Sequence, residues 1–146
     1  MKLWLLPAIL ALAGYFAYGH GLPPLSAPPS APIAQGDGTT LDAAIARHLA
    51  NQTVSGTGTV ARVLPDDEDG SRHQRFILRL ASGQTVLVAH NIDLASRIPD
   101  LAVGDRIAFS GEYVWNHKGG VLHWTHRDPN GRHAAGWLQR GERLYQ

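Results

Sequence analysis

The 146-residue chain contains no cysteine. That absence removes disulfide scaffolding, thiolate metal sites, a cysteine nucleophile and lipid attachment through an N-terminal cysteine. Lysine is nearly absent, with Lys2 and Lys118 alone, so arginine carries almost all the positive charge. Arginine suits bidentate contact with carboxylate or phosphate. A net charge of +1 leaves no global field that would select a strongly acidic partner. The G-x-S-x-G elbow that exposes a catalytic serine is missing, as is the phosphate-cradling G-x-x-x-x-G-K-[ST] loop. Ser71, Ser82, Ser96 and Ser110 fall in expected turns or strands, which gives no convincing nucleophilic triad.

Long apolar runs are also missing, except at the start. Met1 and Lys2 precede an apolar stretch from Leu3 to Tyr18 that falls short of the roughly 20 residues needed to cross a bilayer comfortably. Residues 1–19 therefore read as a signal peptide with cleavage before His20, the competing reading being an uncleaved N-terminal anchor. Either places the remainder outside the cytoplasm: periplasmic, secreted, or anchored at the inner membrane and facing the periplasm. The membrane contact would run through this segment only, if it is uncleaved. Residues 20–38 hold five of the nine prolines among Ala, Ser and Gly, the composition of a semi-rigid spacer.

Residues 39–146 carry the folding pattern. Thr39 to Asn51 reads as one amphipathic helix, capped by Thr39 or Thr40, with Leu41, Ile45 and Leu49 on one stripe. Five strands are expected after it: Thr57 to Leu64, Gln74 to Leu80, Thr85 to His90, Arg106 to Trp115 and Val121 to His126. Ser82-Gly83 should make a tight hairpin, and His117 to Gly120 a second one. In the second strand Gln74, Phe76, Leu78 and Leu80 share one face, while His73, Arg75, Ile77 and Arg79 share the other. Ile107, Phe109, Tyr113, Trp115 and Trp124 are expected to point inward. The fold class is mainly β: a small five-stranded OB-like barrel preceded by one short amphipathic helix.

Between Glu112 and Leu138 lie four of the eight histidines and three of the four tryptophans. That run, EYVWNHKGGVLHWTHRDPNGRHAAGWL, is where metal or proton chemistry would concentrate. Several short stretches in order (DDEDGSRHQRFILRL, AHNIDLA, GEYVWN, HWTHRDP and the Gly136-Trp137 pair) resemble the bacterial domain of unknown function 3465 family. The resemblance covers roughly Val54 to Tyr145. It implies no activity, because the family has none assigned.

The residues must then speak for themselves. On a strand, His123 and His126 would face opposite sides, which disfavours chelation by that pair alone. His90, His126, Asp128 and His133 form the candidate metal set if the strand ends converge on one rim, zinc being the obvious divalent ion. His73 or His123 would then be the general base. Arg72, Arg75, Asn91, Asn116 and Trp137 are candidate binding residues. The acidic turn Asp66 to Asp69 lacks the alternating spacing of a calcium loop and reads as solvated. The outer strip of His73, Arg75 and Arg79 has no aromatics for stacking, which weakens a nucleic-acid partner. Trp137 would seal the barrel end or offer a platform to a sugar ring. Two functions follow: a binding module for a ligand, glycan or protein, or a metal-dependent hydrolase of phosphodiesters.

Overall fold

The computed structural model describes residues 39–146, so the expected leader (1–19) and spacer (20–38) lie outside the described residues. The elements are β1 (Thr39–Thr40), α1 (Leu41–Ala46), β2 (Ala50–Val63), β3 (His73–Arg79), β4 (Thr85–Asn91), β5 (Arg106–Val114), β6 (Val121–His123), β7 (Trp137–Arg140) and β8 (Arg143–Tyr145). β2 pairs antiparallel with both β3 and β5, β3 with β4, and β5 with β6. A parallel contact between β4 and β6 completes the ring. The result is a closed five-stranded barrel in the order β2-β3-β4-β6-β5-β2, preceded by one short helix and consistent with the OB-like expectation.

Alternation builds the core. Phe76 and Leu78 on β3, Val86 and Val88 on β4, Ile107, Phe109 and Tyr113 on β5 and Leu122 on β6 are all buried. At about 25 cal/mol per Å² of apolar area removed from water, such a set supplies the main drive for closure. Leu41 and Ala44 of α1 join this core.

Several boundaries move from those the sequence suggests. The helix stops at Ala46, because His48 and Asn51 adopt positive φ (52° and 55°) and the chain then enters β2 at Ala50. β2 begins seven residues earlier than Thr57, since the stretch from Ala50 pairs with β5 up to Val114. Trp115 is half-buried rather than central, packed on the core edge and stacked on His48 at 4.2 Å between ring centroids. β6 ends at His123 rather than His126. Beyond the barrel, β7 pairs with β5 and β8 with β7, a hairpin whose Leu138 and Tyr145 are buried. That hairpin was not expected, because its four- and three-residue strands carry too little alternation to read.

Two glycines set the backbone approach around the end of β6. A Cβ on Gly136 would sit 1.8 Å from the Trp124 carbonyl oxygen, and one on Gly111 would sit 2.5 Å from that of His123. No other residue leaves room for the chain to fold back so closely.

Candidate functional site

The site grows from the outward parity of the barrel strands. His73 on β3 faces Asn91 on β4, and Arg75 faces Ala89. Glu112 on β5 faces His123 on β6. β6 then breaks its alternation: Trp124 adopts φ = 51°, a left-handed conformation rare for a bulky residue. This turn brings His123, Trp124 and His126 onto one opening, while Thr125 between them is buried. A cleft of about 190 Å³ has Ala89, Asn91, His73 and His123 from the strands, closed in by Trp124, His126 and Leu94. The expectation that His123 and His126 point apart, and that Trp124 belongs to the core, is thus corrected. Both rested on a strand that continues to His126, and the positive φ ends it.

The candidate metal set is not gathered. His90 points inward and is fully buried, its Nε2 lying 3.1 Å from the Ser96 carbonyl oxygen and its Nδ1 2.8 Å from Thr125 Oγ1. Burial pushes its pKa down to about 4. The ring is therefore neutral at ordinary pH. A carbonyl can only accept, so Nε2 carries the hydrogen and Nδ1 accepts from the Thr125 hydroxyl. Asp128 accepts from the backbone N–H groups of Asn130, Arg132 and His133, which organise its loop and lower its pKa. Those three hydrogen bonds commit the carboxylate to its own loop. Among the described residues no three His, Asp or Glu side chains stand together at ligand spacing.

His133 instead meets Glu112, at 2.7 Å from Nε2 to Oε2, while its Nδ1 lies 3.0 Å from the Ala134 carbonyl oxygen. Both ring nitrogens face acceptors, an arrangement that favours the doubly protonated imidazolium. The Ala134 carbonyl first, and the Glu112 carboxylate second, raise its pKa accordingly. The indole of Trp124 stacks on this cation at 4.2 Å and 7° between planes, a favourable contact with the ring face. Glu112 also faces His123, whose Nε2 is 3.2 Å from Oε1 but off the line of a hydrogen bond and otherwise buried without a partner. Desolvation lowers the His123 pKa, opposed by the carboxylate.

The candidate binding residues divide. Arg72 is held by Asp93 at 2.8 Å, and Arg75 donates to the Pro65 carbonyl at 3.0 Å, so neither reaches into the cleft. Asn116 shapes the turn to β6, accepting from the N–H groups of Lys118 and Gly120. Trp137 is half-buried within β7. Asn91, His73, His123 and His126 do line the cleft. Glu112 was not singled out from the sequence, although its outward parity next to inward Tyr113 is readable. Its pairing with His123 and His133 is not, because that depends on register and on the return of the loop.

The profile of the family described as "Protein of unknown function (DUF3465)" matches residues 25–146, a longer span than the short stretches alone suggest. No curated protein and no solved structure matches the chain.

Proposed function

Since the chain belongs to this family of unknown function, and so inherits no activity, we propose from its own residues that it is a non-catalytic binding module. Its site is the cleft on the outer barrel face. The observation that carries this reading is the convergence of His73, His123 and His126 with Asn91 on a single opening of about 190 Å³. Ligand sites combine apolar walls with a few convergent polar groups, and OB-type barrels bind on this outer face. A small molecule is favoured over a glycan, because the Trp124 ring is already stacked on His133. The hydrolase reading gains no support from the placement of its expected ligands, since His90, Asp128 and His133 are committed to other partners. The apolar start of the sequence supports an exported location for the module, periplasmic or beyond.

Fragment screening by heteronuclear NMR on the full chain tests this reading. Binders should move the signals of Ala89, His123 and Trp124 together. Filling the floor with Ala89→Phe should weaken them more than tenfold while leaving the melting temperature within a few degrees, because Ala89 lies outside the core. A library that perturbs no cleft signal would overturn the proposal.

A further inference from the structure

The backbone sets the hydrogen-bond polarity of two groups that line this cleft, and that narrows what it can hold. His126 is only 4% exposed. Its Nδ1 lies 2.8 Å from the Arg127 carbonyl oxygen. Because that oxygen can only accept, Nδ1 carries the hydrogen, so whenever the ring is uncharged its lone pair is at Nε2. Among the described residues nothing donates to that lone pair, and the ring lines the cleft. Asn91 is pinned in the same way. Its Oδ1 accepts from the Asp93 backbone N–H at 2.9 Å, which settles the amide orientation and leaves the Nδ2 hydrogens free. Two of the residues that line the cleft thus carry a group of set polarity, an acceptor at His126 Nε2 and a donor at Asn91 Nδ2.

The space narrows the class further. A cavity of about 150 Å³ holds a benzene ring, and this cleft has about 190 Å³. Ala89 and Leu94 offer apolar contact to such a ring. We propose that the cleft binds a small planar molecule carrying an N–H and a C=O side by side, a lactam-type edge, with His126 Nε2 accepting from the N–H and Asn91 Nδ2 donating to the oxygen. This deepens the binding reading and rests on it. A ligand offering two acceptors, such as a carboxylate, would set a lone pair against the lone pair of His126. One offering only donors would leave Asn91 unmatched.

The test uses the full chain at pH 8 with two probes, 2-pyridone and N-methyl-2-pyridone, which differ by the single N–H. The expected result is that 2-pyridone shifts the side-chain signals of His126 and Asn91 and binds at least tenfold more tightly than the methylated probe. Asn91→Asp keeps an oxygen for the Asp93 N–H but replaces the donor with an acceptor, and it should weaken 2-pyridone at least tenfold. In the free wild-type protein, the ring nitrogen shifts of His126 should show the Nδ1–H tautomer. Equal binding of the two probes in the cleft would overturn the edge assignment and leave the binding module standing. An Nε2–H tautomer at His126, or no binding of either probe while other fragments occupy the cleft, would overturn it as well. If Asn91→Asp does not fold, the tautomer and the two-probe comparison decide on the wild-type chain.

Discussion

A buried histidine and a crowded glycine show how much single residues carry here. His90 takes part in no open chemistry: it links β4 to the Thr125 hydroxyl on one side and the Ser96 carbonyl on the other. That makes it a cross-brace between the strand, the 92–105 connection and the loop after β6. Replacing it with Ala should cost on the order of 3 kcal/mol, from the cavity and from two polar groups left without partners, and chemical denaturation would measure the loss. Gly136 is constrained more sharply, since its N–H donates to the His126 carbonyl at 2.9 Å while its α-carbon lies against the Trp124 backbone. Gly136→Ala should destabilise by about 3 kcal/mol or more, because the obstacle is main chain and cannot rotate away. Normal stability in that variant would mean the loop after β6 does not return along this path.

At the scale of elements, the cleft depends on two connections being held against the barrel. The 92–105 connection is fastened by Gln74, a buried amide whose Nε2 donates to the Ile98 carbonyl (3.0 Å) while Oε1 accepts from the Ile98 N–H (2.9 Å). Gln74→Leu should leave both Ile98 groups unpaired at a cost of about 2 to 4 kcal/mol. Hydrogen exchange should then show the Ile98 amide losing protection before the barrel strands do. Loss of protection everywhere at once would show that the connection has no independent opening. The same elements explain what the sequence could disclose. The alternation of Gln74 to Leu80 is legible because each side chain answers to one sheet face, and the glycine-containing hairpin at Ser82-Gly83 announces itself chemically. HWTHRDP misleads, because its strand ends at a left-handed Trp124 that no local preference favours. The Gly136 contact that accommodates this turn is thirteen residues away from His123. Site residues contributed by β3 and β4 could be placed by parity, whereas the meeting of His133 with Glu112 required the tertiary path of the loop.

For the whole molecule, the histidines of the barrel give stability a maximum in pH. His90 has a pKa depressed to about 4, against roughly 6.5 for an unfolded histidine. As pH falls from 6.5 toward 4, the unfolded chain takes up a proton that the folded chain refuses, so stability declines, by roughly 2 to 3 kcal/mol at pH 4.5. His123 is lowered as well and adds to this acid limb in the same sense. His133 acts in the opposite direction: its raised pKa means that its contribution is complete below pH 6.5 and is lost as pH climbs through the folded value. The groups facing it are Glu112 from β5, His123 from β6, and Asp128, Trp124 and the Ala134 carbonyl from its own loop. The two limbs should meet near pH 6.5, and urea midpoints taken from pH 4.5 to 9 should trace a single maximum there. Glu112→Gln removes one of the two leading causes of the His133 shift and should flatten the alkaline limb while leaving the His90 part of the acid limb intact. His90→Gln should do the reverse. If both variants keep the wild-type curve and differ only in height, these two histidines do not shape it, and neither the protonated His133 nor the neutral His90 survives as described.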